Sequence, residues 1–405
     1  MAILDFDRSD ENVWRPRAAA IIPGGASTGS KRPDALFGDR IGELPTHYTR
    51  ASGCRIETAE GRQLIDCTMG LGAVALGYAD DVVTQAVVEA AANGNVCGLS
   101  PALEIDVAER LAELVPCAEQ VRFLKTGAEG VAAAVRIARA HTSRSVVIAC
   151  GYFGWLDWSS DAAGIPESVR ADIVRVPFDD VDALETAAKR TGDRLAAIVL
   201  EPVIERLPSV EWIAEARRAC DESGAVLIFD EVKTGFRLKP GGYQELADVT
   251  PDLAVFGKAL ANGYPLSAVL GRESVMRAAS ETWISSTLAS ETVALAAARA
   301  VMEWHARAEV CESLGEIGAE MRGAVDRAIA ASRIDGVRTD GLDHMWLIRF
   351  DSPARESRFL ELAAQAGVLF KRGAYDFPSL AHDEEAIAEI ESAASTALVR
   401  LRDEE

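Results

Sequence analysis

Several short runs rich in β-branched residues, alternating with amphipathic helical patterns, constrain this chain more than any other feature. The runs are 121–124, 145–149, 196–200, 226–229 and Leu253–Phe256, and the helical patterns include 129–141, 181–190 and 212–222. Strands that alternate with helices build βαβ units and a mostly parallel sheet, so the expected class is α/β. The runs I-V-L and V-L-I-F are apolar throughout, as strands covered on both faces must be. Residues 291–331 read as mostly helical. After them come a strand over 346–350, a helix, a short strand over 368–370 and a final helix from Asp383 to about Arg402. That tail reads as a smaller α+β unit. No repeat, low-complexity tract or long linker interrupts the chain.

In open parallel sheets, ligands gather beyond the carboxyl ends of the strands. Several strands here end in residues with chemical use. The run 196–200 leads into Glu201-Pro202, 226–229 into Asp230-Glu231-Val232, and Leu253–Phe256 into Gly257-Lys258. The run 121–124 leads into Thr126-Gly127-Ala128-Glu129, which opens a helix whose N-terminus is suited to a phosphate. A lysine, two acids and a phosphate-ready helix end on one rim match the needs of pyridoxal 5'-phosphate (PLP). That cofactor takes a lysine on its aldehyde, a carboxylate at its pyridine nitrogen and donors for its phosphate. The complete phosphate-loop and dinucleotide fingerprints are both missing.

The same motifs give a resemblance that covers nearly the whole chain. They are P-G-G at 23–25, G-R-Q-L-I-D at 61–66, R-I-A-R-A at 136–140, D-E-V-K-T-G-F-R at 230–237, P-D-L at 251–253, G-K-A-L-A-N-G-Y-P at 257–265 and G-R at 271–272. With them the sequence resembles the class III aminotransferases, fold type I PLP enzymes, in the branch around glutamate-1-semialdehyde aminomutase. The resemblance implies a mostly parallel seven-stranded sheet in a large domain, 69–309. A small α+β domain would draw on both termini, 1–68 and 310–405. It implies that Lys258 is the Schiff-base lysine and Asp230 the partner of the pyridine nitrogen. Val232 and Tyr152 would cover the two ring faces, although Tyr152 can also be read as a core aromatic. Gly127 and Ala128 would hold the phosphate through backbone N–H groups, with Thr126 beside them. Thr287 would reach the phosphate of the other subunit in a homodimer with shared active sites; otherwise it caps the helix near Glu291. Glu201 is either a supporting acid of the cofactor site or a buried acid that ties loops together.

The chain also departs from the family pattern. T-G-A-E-G at 126–130 lacks one phosphate hydroxyl of the usual S-G-T-E-A, and Y-F-G at 152–154 replaces Y-H-G. The segment after Glu201-Pro202 is short, and A-N-G-Y-P-L-S-A at 261–268 replaces the glycine-rich stretch of the aminomutases. Transfer of an amino group from a small-molecule donor to a carbonyl acceptor, in a ping-pong cycle, is therefore expected ahead of aminomutase or racemase/epimerase chemistry. A non-catalytic PLP-fold protein is disfavoured by the presence of both Lys258 and Asp230. Specificity is expected from 24–32, 71–78 and 370–382. Lys31 and Arg32 are candidates for a substrate carboxylate or plain surface charges, and His382 reads as structural. The overall pattern also resembles a branch found in bacterial biosynthetic clusters, where amino acceptors can be oxidised sugars or other carbonyls, which leaves the substrate open.

Charge and cysteine usage exclude other classes. Lys plus Arg number 42 against 63 Asp plus Glu, a net charge of −21 that opposes nucleic-acid and anionic-membrane partners. The acidic first sixteen residues lack the pattern of a secretory signal, and the longest near-apolar stretch, 69–79, contains three glycines. A cytoplasmic enzyme is expected. Seven scattered cysteines without C-x-x-C spacing suggest free thiols, with no metal site.

Overall fold

A computed structural model describes residues 14–40, 42 and 44–405. The reading of the acidic N-terminal stretch up to residue 13 lies outside the described residues. The chain divides into two compact units, one of residues 1–80 and 312–405 and one of residues 81–311.

The unit of residues 81–311 is built on a seven-stranded sheet. Its strands are β1 (Gln120–Leu124), β2 (Val146–Cys150), β3 (Ile173–Arg175), β4 (Leu195–Leu200), β5 (Val226–Asp230), β6 (Leu253–Phe256) and β7 (Ser267–Gly271). They lie in the order β1-β7-β6-β5-β4-β2-β3. Only β7 runs against its neighbours. The expected mostly parallel seven-stranded sheet is therefore present. Strands β2, β4, β5, β6 and β7 are buried at every residue, which explains the unbroken apolar sequences of β2, β4 and β6. Two strands escape the apolar-run signal. β3 has only three residues and lies at an edge, and β7 has just three apolar residues between Ser267 and Gly271.

The helices of this unit that bear on the site are α1 (Asp81–Ala92), α2 (Gly127–Thr142), α3 (Val181–Thr191), α4 (Val210–Ser223) and α5 (Thr292–His305). Helix α2 lies across the sheet. Its Val131, Ala134, Ile137 and Ala138 recur at helical spacing and are fully buried among Ala197, Val199, Ile228 and Val255. Small residues let the helix approach closely. At Gly130 a Cβ would stand 2.6 Å from Cγ1 of Val255. Thr126 starts α2 with a reciprocal capping box: its hydroxyl accepts the N–H of Glu129, and the Glu129 carboxylate accepts the N–H of Thr126 at 2.9 Å. Helices α3 and α4 begin with Asp180 and Ser209 as side-chain caps.

The other unit holds a four-stranded sheet of Tyr48–Ser52, Arg55–Thr58, Gln63–Asp66 and Val368–Leu369, and a hairpin of Val337–Leu342 with Met345–Phe350. Helices Pro353–Gln365 and Glu384–Asp403 belong to it. Strand Val368–Leu369 pairs in parallel with Gln63–Asp66, so the two ends of the chain share one sheet.

Gly130→Val places a branched side chain against Val255 and Ser267. Overpacking of this kind costs about 1–3 kcal/mol. The variant is expected to melt a few degrees below the parent in the cofactor-free form, measured by circular dichroism.

Candidate active site

Parallel registry places the ends of three adjacent strands side by side. Leu200 lies opposite Phe229, and Asp230 opposite Val255. Glu201, Asp230 and Lys258 therefore leave the sheet at neighbouring points of the same edge. Cys150, the last residue of β2, is opposite Leu200, which brings Gly151 and Tyr152 to that edge as well.

Asp230 is buried, and its Oδ1 accepts the N–H of Val232 at 3.1 Å. Burial, reinforced by the charge of Glu201, pushes its carboxyl up to about 8. Lys258 adopts a left-handed backbone with φ of +49°, a conformation that costs a side-chain-bearing residue on the order of 1 kcal/mol. Such strain concentrates at functional sites. Burial brings the Lys258 amine down to about 8, aided by the nearby positive charge of Lys233 and opposed by Glu201 and Asp230. Both groups are thus pushed toward their neutral forms near neutral pH.

Glu201 is held by two partners. Its Oε1 pairs with Nζ of Lys233 at 2.6 Å, and its Oε2 accepts the N–H of Tyr152 at 3.1 Å. Gly151, at φ +132°, is required here because a Cβ would overlap the Glu201 side chain. Lys233 is 7% exposed, and sequence reasoning passed over it. The only signal was a lysine inside the otherwise small and apolar string V-K-T-G. The neighbouring Glu231 is fully buried, accepts the hydroxyl of Thr234 and the N–H groups of Tyr243 and Gln244, and so holds the loop after β5 in shape.

The N-terminus of α2 lies against Val232, two residues after Asp230. A Cβ at Gly127 would stand 2.9 Å from both methyls of Val232, and a Cβ at Gly154 would overlap Ala128. Gly127, Ala128, Val232 and the Tyr152–Gly154 segment are therefore contiguous. The N–H groups of Gly127 and Ala128 precede the first intrahelical bond, from Gly130 to Thr126. The Thr126 hydroxyl is committed to Glu129 by the capping box, which leaves it poorly placed to replace the hydroxyl that Ala128 lacks. Lys125 pairs with Glu291 at 2.9 Å and donates to the carbonyl of Pro265 at 3.1 Å, tying this loop to the start of α5. The cap of α5 is Glu291, which accepts the N–H groups of Val293 and Ala294. Capping therefore does not account for Thr287, which is exposed and lines a cleft of about 920 Å³ between α1, the 94–101 loop and α5.

The profile of the family described as aminotransferase class-III matches residues 38–398. The chain belongs to the class-III aminotransferases. It is 33% identical to a glutamate-1-semialdehyde 2,1-aminomutase of Sorangium cellulosum, over 94% of each chain. It is 32% identical to the 2'-deamino-2'-hydroxyneamine transaminase of Streptomyces kanamyceticus, over 86% of each. Among solved structures, the PLP internal aldimine form of the FumI protein of Sphingopyxis sp. MTA144 superposes with a TM-score of 0.91 at 26% identity. That match covers 98% of this chain and 97% of the other. The fold is thus that of the fold type I PLP enzymes, and the activity of this class-III aminotransferase is PLP-dependent transfer of an amino group between small molecules. The residues present fit that cofactor. A buried carboxyl whose ionisation is opposed by burial, as at Asp230, would be ionised by a cationic ring nitrogen beside it, and a lysine with a depressed pKa is suited to an aldehyde.

The segments named for specificity lie in the other unit. Segments 71–78 and 370–382 pack together there: the N–H of Leu380 donates to Ala75, and a Cβ at Gly72 would stand 2.8 Å from the Phe377 ring. Lys31 and Arg32 are exposed, and the Arg32 side chain lies over Gly24. His382 is buried, with Nδ1 accepting the N–H of Ser379 at 3.1 Å, a bond within its own loop. Among the described residues, no group of three or more His, Cys, Asp or Glu side chains could hold a metal ion, and no helix is long and apolar enough to cross a membrane.

The Asp230 carboxyl titrates near 8 in the fold and from an ordinary value of 3.8. Between those values the folded chain keeps a proton that the unfolded chain has released, so this group destabilises the cofactor-free fold increasingly as pH rises toward 8. Asp230→Asn removes that penalty, which is on the order of a few kcal/mol. The cofactor-free variant is expected to melt above the parent, by a margin that widens from about pH 5 to about pH 8.

Proposed function

We propose that Lys258 is the amine that joins the PLP aldehyde and that Asp230 pairs with its ring nitrogen. The observation that carries this reading is the placement of the two on adjacent strand ends, each pushed by burial toward its neutral form. Bound PLP supplies an aldehyde that takes up the amino group and a ring that draws electrons from the substrate carbon. Lys258 would hold that aldehyde and, as a neutral amine at Nζ, would take and return the proton of the substrate carbon. Asp230 holds the ring nitrogen in its protonated form. Val232 and Tyr152 lie against the two ring faces, and the N–H groups of Gly127 and Ala128 bind the phosphate at the end of α2. Glu201 acts through its neighbours. The unit of residues 81–311 serves as the large cofactor-holding domain and the other unit as the small domain. Lys31 and Arg32 serve a substrate carboxylate.

The assembly that fits these residues is a homodimer in which Thr287 of each chain binds the phosphate of the other site. Ala128 has no hydroxyl, Thr126 is occupied by Glu129, and Thr287 is exposed with no capping role. Large apolar side chains are exposed in the same unit, with Leu99 82%, Trp283 86% and Trp155 73% accessible, which favours a covered surface. Six of the seven cysteines are buried and all seven are free thiols, which suits a reducing cytoplasm.

Lys258→Ala is expected to abolish transamination and to leave no borohydride-reducible bond between protein and cofactor. Retention of either would refute the assignment. Thr287→Ala is expected to weaken PLP retention tenfold to a hundredfold, in keeping with about 1.5–3 kcal/mol for a bond to a charged group. Its melting temperature without cofactor should be unchanged. Light scattering checks the dimer, and a fully active monomer would refute the shared site.

A further inference from the structure

We propose that Lys233 sorts the charges of the active site: by pairing with Glu201 it leaves Asp230 as the carboxylate that serves the PLP ring nitrogen. Lys233 is a positioning residue in this scheme: it holds Glu201 and adds its own positive field at Asp230 and Lys258. The inference rests on the role assigned to Asp230 above.

Two carboxylates, Glu201 and Asp230, leave the sheet on adjacent strands. Either could attract a cationic ring nitrogen, and Glu201 raises the cost of ionising Asp230. Two amines, Lys233 and Lys258, share the space with them. The turn after β5 decides which amine meets which acid. N–H groups of Thr234 and Gly235 fold back on the carbonyl of Glu231, at 3.2 and 2.8 Å, so residue 233 sits at the crest of a tight turn. From there the Lys233 side chain runs to Glu201, with its Nζ 3.4 Å from the carbonyl of Ile204. The pair is dry, at 7% and 13% exposure, so removal of one partner leaves a buried charge rather than a solvated one.

The second oxygen of Glu201 is held by the N–H of Tyr152. Glu201 is therefore satisfied without either Asp230 or Lys258. The electrostatics agree with this division: Glu201 raises the Asp230 carboxyl while Lys233 and Lys258 lower it. At Lys258, Lys233 and Arg237 favour the neutral amine while Glu201 and Asp230 favour the ammonium. Removing the Lys233 charge would leave Glu201 to oppose ionisation of Asp230 and to favour the proton on the Lys258 nitrogen. The same ion pair fixes the backbone of Tyr152, the ring-facing residue.

The test measures PLP retention by equilibrium dialysis and the pH midpoint of the visible absorbance of the bound cofactor, in the holoenzyme. Lys233→Met is expected to weaken PLP retention at least tenfold and to move the midpoint upward. Adding Glu201→Gln to it removes the orphaned carboxylate and should return retention to within about threefold of the parent. Glu201→Gln alone leaves the positive charge of Lys233 unopposed and should move the midpoint downward, so the sign can be read even if Lys233→Met folds poorly. Melting of the cofactor-free variants separates a packing role, which would lower stability without moving either midpoint. Unchanged midpoints in both single variants, with PLP retention still weakened by Asp230→Asn, would overturn this inference alone. Unchanged retention in Asp230→Asn would overturn the Asp230 assignment itself.

Discussion

Four charged side chains at the ends of three adjacent strands govern this site, and none of them can be considered alone. Asp230 and Lys258 are each driven toward neutrality by burial, and Glu201 and Lys233 modulate both. Burial weakens the competition from water, so a charge placed on one group is felt strongly by the others. In the proposed site, a cationic ring nitrogen beside Asp230 and an aldehyde beside Lys258 would relieve both penalties together.

The fold supports that arrangement through the sheet. Fully buried parallel strands cannot slip register without exposing or burying the wrong residues, and β5 and β6 are held by neighbours on both sides. Their ends are therefore fixed relative to each other. The phosphate end of α2 is set by a separate set of contacts: its capping box, the close approach at Gly130 and the fit of Gly127 against Val232. Glycines at 127, 151 and 154 each stand where a Cβ would strike a residue of the site. Close approach of backbone segments is the common reason for them.

The division between Glu201 and Asp230 illustrates how similar residues acquire different tasks. Both are acids that follow an apolar strand. Glu201 has a cation and a backbone donor of its own, whereas Asp230 has one backbone donor and a shared field. An acid already neutralised by protein contributes structure. An acid left short of positive charge is available to a ligand, and in this aminotransferase the ligand that fits is the PLP ring.

The apolar runs alone were enough to predict a parallel α/β sheet, because strands covered on both faces must be apolar along their whole length. The strand-end residues Glu201, Asp230 and Lys258 and the helix start at Thr126 could be read for the same reason, since sheet topology dictates where such ends gather. Strands β3 and β7 show no such run, one being too short and the other holding only three apolar residues between Ser267 and Gly271. The pairing of Lys233 with Glu201 could not be read at all, because it depends on a tight turn after β5 and on packing between residues 32 positions apart. The commitment of the Thr126 hydroxyl to Glu129, and the capping of α5 by Glu291 rather than Thr287, were likewise decided by local geometry. Pattern determines which residues reach the sheet edge, since period and hydrophobicity are properties of the chain. Which acid keeps its charge is decided by three-dimensional proximity in a dry environment, and only the tertiary structure supplies that.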